Sequence, residues 1–112
     1  MHESHQVQHV IVQAQEMMKA QGILKPRCVV ILMGELLGFD AESVRLHWED
    51  LTIDTPLEGV EIKVELVAAR LKCPKCAQVY AKKGSNLSCP QCNVLGTPTQ
   101  FGKEFTVKEL VV

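Results

Sequence analysis

Four cysteines in two short pairs are the residues most able to do chemistry: "CPKC" holds Cys73 and Cys76, "CPQC" holds Cys89 and Cys92, and twelve residues separate the pairs. Each C-x-x-C turn aims two thiolates at one point, and the intervening loop lets a second turn complete a tetrahedron. Thiolates at ~2.3 Å in that geometry suit Zn²⁺, and with sulfur in all four positions no site is left for water or substrate, so the role is structural. Iron takes the same ligand set in rubredoxin-type centres. Four unligated thiols are the plain alternative, and the spacing speaks against it.

The second concentration of ligand chemistry is the start of the chain, "MHESHQVQH", which carries three of the four histidines. A histidine at position two sets three nitrogens in chelating order: the Met1 α-amine, the His2 amide and the His2 imidazole. Amine and amide close a five-membered ring, and amide and Nδ1 close a six-membered one. A planar nitrogen set suits Ni²⁺ or Cu²⁺, and copper is favoured on raw affinity, so nickel selection must come from availability and delivery. The site needs a free amine, which a bulky second residue protects from methionine removal. It also needs loss of the amide proton, so binding is pH-dependent. His5 and His9 fall on the polar side of a helix and read as solvated residues, as does His47 beside Trp48. Asp40 reads as a helix N-cap. Cys28, inside an apolar run with no partner at ligand spacing, reads as a buried small hydrophobe.

The elements that must position these groups follow from periodicity. Residues 5–21 form an amphipathic helix with Val7, Val10, Ile11, Ala14, Met17 and Met18 on one face, ended by Gly22 and Pro26. "RCVVILMGEL" is a buried strand rich in β-branched residues. "GFDAESVRLHWEDL" is a second helix capped by Asp40, with Ala41, Val44, Trp48 and Leu51 inward. "VEIKVELVAA" alternates, with Val60, Ile62, Val64 and Leu66 inward. After the cysteine region, "KEFTVKELVV" returns to strand character, with Phe105 and Val107 on one face. The order predicts an α+β domain from residues 1–70 and 101–112, with a four-cysteine ribbon, residues 71–100, inserted before its last strand.

Composition narrows function further. The 112 residues carry a net charge of −1, giving no global attraction to nucleic acid or anionic membrane. No apolar run approaches the ~20 residues that span a bilayer. A basic n-region is missing from the start, so a cytoplasmic, soluble protein is expected. Paired C-x-x-C motifs in a reducing compartment indicate metal rather than disulfides. A zinc-ribbon nucleic-acid module is the competing possibility, using Lys72, Lys75, Lys82 and Lys83, but aromatics are scarce. Nothing groups a nucleophile with a base at telling spacing, so no enzyme is expected.

"MHE" at the start, "GELLGFD" at 34–40, "CPKC…CPQC" and "GKEFTVKEL" at 102–110 together resemble the HypA/HybF family of hydrogenase-maturation nickel metallochaperones. The order and separations agree across essentially the whole chain. The resemblance implies two helices on a three-stranded sheet and a separate structural zinc domain. It implies nickel held near the terminus by Met1, His2 and Glu3, with the fourth ligand open among His5, His9, Asp40, water or a partner. It further implies ligand exchange rather than catalysis, a HypB-type GTPase partner, the NiFe-hydrogenase large subunit as acceptor, service to urease in some members, and a monomer or homodimer. Two departures bear on mechanism. Ala77 and Asn93 stand where some members carry a histidine after each knuckle, and residues 93–112 contain no histidine at all.

Overall fold

The computed structural model describes residues 2–82 and 86–112, with His2 described by its backbone only. Met1, the His2 side chain and Lys83 therefore lie outside the described residues. The first helix, α1, runs His2–Gln21, three residues earlier than its apolar stripe alone predicts. Val7, Val10, Ile11, Ala14 and Met18 are buried along it and Met17 is half-buried, while His5 and His9 are exposed. Gly22 adopts φ 67°, and the Ile23 amide donates to the Met18 carbonyl at 2.8 Å. That left-handed residue closes the helix as glycine does at little steric cost.

Strand β1 (Cys28–Gly34) leads through a short 3-10 turn, Glu35–Leu37, into α2 (Ala41–Leu51) and then β2 (Glu61–Val67). Asp40 caps α2 as predicted, its carboxylate accepting from the Ser43 amide at 3.3 Å. β1 and β2 are parallel, so α2 is the crossover helix of a β-α-β unit. The last strand, β6 (Phe105–Val111), runs antiparallel along the other side of β1, giving the order β2-β1-β6. Both helices cover one face of this sheet, and their core joins Val29, Ile31, Met33, Ile62 and Val107. The buried Trp48 indole donates to the Val60 carbonyl at 2.9 Å, tying α2 to the start of β2.

Two expectations need correction, and one feature of β6 lies outside simple alternation. Leu66 is 63% exposed rather than inward, because the packing that covers Val60, Ile62 and Val64 stops short of the end of this edge strand. Cys28 is half-exposed rather than buried: it starts β1 on the face opposite the helices, beside Glu61 and Val111. On β6, Leu110 shares the core face with Val107, which strict alternation forbids; a register shift at Val30/Ile31 leaves one extra residue in β6 and resets its parity. Across the open face, Lys108 of β6 reaches over β1 to Glu65 of β2 at 3.0 Å.

Between β2 and β6 the chain leaves the larger sheet and builds a second, order β4-β3-β5, from β3 (Arg70–Lys72), β4 (Val79–Ala81) and β5 (Thr97–Pro98). Its core is Leu71, Tyr80, Cys73 and Cys89, with Leu87 and Cys92 partly buried against them. The crossings between the sheets are pinned by backbone contacts: Gly34 donates to the Glu104 carbonyl at 2.6 Å and Leu36 to the Gly102 carbonyl at 2.8 Å. Glu35 completes the joint, accepting from the Ala69 amide at 2.8 Å and pairing with Lys82 at 3.4 Å. The Ala69 bond first, and Lys82 with it, hold the Glu35 carboxyl below its usual range. No helix among the described residues is long and apolar enough to cross a membrane.

Candidate metal centres

The two knuckles repeat one local design. In the first, the Cys73 amide donates to Gln78 O and the Ala77 amide to Cys73 O, each at 2.9 Å; in the second, Cys89 donates to Val94 O at 2.8 Å and Asn93 to Cys89 O at 2.9 Å. Each turn closes through a left-handed residue, Ala77 at φ 62° and Asn93 at φ 56°. Asparagine tolerates that region, but alanine is strained there by about 1–2 kcal/mol. Ala77→Gly is expected to tighten metal binding by the ribbon about fivefold, equivalent to about 1 kcal/mol. Competition titration against a chromogenic chelator measures this, and an affinity unchanged or weakened would show that the knuckle is not strained.

The ligand atoms of Cys73, Cys76, Cys89 and Cys92 all lie within 4.8 Å of one another, as the spacing predicts. Sulfurs at ~2.3 Å from a tetrahedral centre sit about 3.8 Å apart, and Cys76 Sγ and Cys89 Sγ are 3.8 Å apart. Cys73 and Cys89 are buried, Cys92 is half-buried and Cys76 is exposed, so the cluster opens on one side only. The amides of Cys76 and Lys75, both 3.4 Å from Cys73 Sγ, bring that thiol down to about 6. Cys92 is pushed up to about 12, by its hydrogen bond with Cys76 first and by burial next. Crowding of this kind opposes a full set of thiolates until a cation compensates them. The donor set fits a tetrahedral thiophilic metal.

In the helical part of the molecule, Glu3 is the one expected nickel ligand whose side chain is described. Its carboxylate is turned onto α2: it accepts from the Ser43 hydroxyl and from the Asp40 amide at 3.4 Å, and lies 3.5 Å from His47 Nε2. Its side chain is 16% exposed, against 38% for His47. Asp40 stays committed to its cap, whereas His47, expected to be an ordinary polar residue, meets the terminal segment. Asp40, Ser43 and His47 share one side of α2 at i, i+3 and i+7, flanking the buried stripe of Val44 and Trp48. That spacing is visible in the sequence, but which segment the stripe faces depends on how α1 crosses α2. Of the basic residues around the knuckles, Lys82 is drawn into the Glu35 ion pair.

Comparison with known proteins agrees with this architecture. The family described as "Hydrogenase/urease nickel incorporation, metallochaperone, hypA" matches residues 1–112. A hydrogenase maturation factor HypA of Caldanaerobacter subterraneus subsp. tengcongensis is 31% identical over 113 residues, covering 100% of this chain and 99% of its own. The HypA of Geobacter sulfurreducens is 33% identical over 112 residues, with the same coverage. The solution structure of the Ni metallochaperone HypA from Helicobacter pylori superposes with a TM-score of 0.73 at 20% identity, over 98% of this chain and 96% of that one, which shows the shared fold. A full-length family match, two full-length relatives above 30% identity and the common architecture of helices, sheet and cysteine ribbon place this chain in the HypA family of hydrogenase nickel-incorporation metallochaperones.

Proposed function

We propose that the protein carries Ni²⁺ on its N-terminal segment, through Met1, His2 and Glu3, and delivers it for NiFe-hydrogenase maturation. Zn²⁺ on Cys73, Cys76, Cys89 and Cys92 serves as a structural centre. The observation that carries the nickel reading is the start of α1 at His2, with Glu3 held against α2. The amides of a helix's first turn have no intrahelical partner, so the His2 amide is free of the helical ladder and open to deprotonation onto a metal. The anchored Glu3 places a carboxylate one residue further along. A ligand set of this kind binds by deprotonation and releases by ligand exchange, which suits cargo.

The working division is a nickel domain, residues 1–70 with 101–112, and a zinc ribbon, residues 71–100. The partners are a HypB-type GTPase and the hydrogenase large subunit, with urease maturation factors as further recipients, all in the cytoplasm. The test compares nickel binding by the untagged chain, by His2→Ala and by a chain extended by one N-terminal residue. Both changes are expected to abolish the stoichiometric site, the first by removing the imidazole and the second by displacing the amine. Undiminished affinity in both would sink the terminal chelate.

A further inference from the structure

One edge of the larger sheet is open, and its sequence is its own complement. β2 (Glu61–Val67) lies at one side of the order β2-β1-β6, and among the described residues no backbone hydrogen bond reaches it from the side away from β1. We propose that a second copy of the chain docks on this edge, β2 against β2 antiparallel about a twofold axis, joining three strands from each copy into one continuous sheet. The proposal is independent of which metal the terminus carries.

Edge strands are commonly blunted by shortness, proline, a bulge, charge or a covering element. β2 runs seven residues without proline and pairs with β1 without a register shift. The opposite edge differs: Gln13 of α1 donates to the Thr106 hydroxyl at 2.8 Å and accepts from the Val107 amide at 3.1 Å on β6. What guards β2 is charge alone, and that charge alternates in sign through Glu61, Lys63 and Glu65 on the open face. A twofold axis pairs residues whose numbers have a constant sum, and both members share a face only when that sum is even. Centred on Val64, the axis sets Lys63 against Glu65, Ile62 against Leu66 and Glu61 against Val67, so every residue of the strand is used. The Lys63–Glu65 pair forms twice, and no like charges stand opposite one another. Centring on Lys63 would oppose Lys63 to itself and Glu61 to Glu65. Centring on Ile62 would draw in Gly59, which adopts φ 80°, and would leave Leu66 without an apolar mate.

The Val64 register accounts for Leu66, which is 63% exposed at the inward parity. Ile62 of the second copy stands opposite it, and the row Ile62, Val64 and Leu66 continues across the axis on the helix-covered face. Lys63 is exposed and pairs with no carboxylate among the described residues, whereas Glu65 binds Lys108 through one oxygen at 3.0 Å and has a second for Lys63 of the other copy. The helices also fit. A crossover helix lies over the strand pair it connects, so the two copies of α2 lie two strand spacings apart, roughly 10 Å. That is the spacing at which helices pack.

The deciding experiment is sedimentation equilibrium of the full, zinc-loaded chain under reducing conditions, alongside Lys63→Glu, Glu65→Lys and an equimolar mixture of the two variants. The native chain is expected to dimerise with a Kd on the order of 10 µM. Each variant alone sets two like-charged pairs across the axis and is expected to dimerise at least about tenfold more weakly. In the mixture the acidic variant faces the basic one, both cross-strand pairs are again of opposite charge, and association is expected to return to within about threefold of native. Unchanged emission from the buried Trp48 verifies that each variant is folded. A native chain that stays monomeric well above that Kd, leaving the edge to the strand of a different protein, overturns the proposal. A dimer that neither variant weakens overturns it too, because the contact then lies elsewhere on the molecule. So does a mixture that associates no better than the variants apart, since the charges then act without facing each other.

Discussion

Stripping the metal from the four cysteines is expected to unfold residues 71–100 and leave the helices and the larger sheet standing. The two halves of the molecule differ sharply in what holds them. The β2-β1-β6 sheet and its helices share a continuous apolar core from Val7 to Leu110 that includes Trp48, Ile31 and Leu57. Among its described residues the ribbon buries Leu71, Tyr80, Cys73 and Cys89, so two of those four side chains belong to the cysteine cluster itself. Its strands are three, three and two residues long. So small a unit needs a staple, and zinc in comparable peptides contributes ~10–16 kcal/mol near neutral pH. That exceeds any contribution the ribbon's apolar contacts can make.

The molecule carries a reporter for each half. Its one tryptophan is buried under α2, and its one tyrosine, Tyr80, lies in the ribbon with its hydroxyl donating to the Leu87 carbonyl at 2.7 Å. Chelation should erase the Tyr80 near-UV signal and spare Trp48 emission. A retained tyrosine signal after complete metal removal would overturn the expectation. The direction with pH follows from the thiols. At neutral pH the metal-free cluster keeps the Cys92 proton, since that thiol is pushed up to about 12, while Cys73, at about 6, is already mostly ionised. Metal loading must therefore displace the Cys92 proton, so affinity rises with pH and acid drives the metal off. Titrations in buffers of different ionisation heat read that proton directly.

Much of this design is legible in the residues alone, and the exceptions share a cause. The cysteine spacing, the apolar stripe of α1, the Asp40 cap and the alternation through Ile62 are local patterns, and local geometry enforces them. Leu66, Cys28, Leu110 and His47 are decided by what lies across from them. Leu66 is apolar at an inward parity, yet no helix reaches it. Leu110 is inward because a bulge in a strand pair resets the count. His47 is a polar residue on a polar stripe until the crossing of α1 over α2 sets Glu3 beside it. Periodicity predicts which face a side chain occupies but is silent about what that face meets.

The same principle makes one glycine critical. Gly34 has an ordinary extended backbone, φ −73° and ψ 140°, so its lack of a side chain is not needed for a turn. It is needed for contact: a Cβ there would overlap the Gly102 carbonyl and lie 2.6 Å from the Lys103 nitrogen. Both obstacles are backbone, and no rotamer change relieves them. Gly34→Ala must push the returning chain away from the end of β1. The bonds from Gly34 to Glu104 and from Leu36 to Gly102 then stretch or break. Overpacking costs about 1–3 kcal/mol and each lost hydrogen bond about 1 kcal/mol. A total of about 3–5 kcal/mol is a large share of the ~5–15 kcal/mol that holds a domain together. The melting temperature should fall by roughly 12 °C or more. Gly38 is the control, because it adopts φ 68° and a methyl added there would meet nothing within 4 Å. Gly38→Ala meets strain alone, about 1–2 kcal/mol. Equal melting temperatures for the two variants would mean that the crossing yields freely at Gly34. A much larger loss at Gly34 would show that the joint between the larger sheet and the cysteine ribbon is rigid, held by backbone packed directly on backbone.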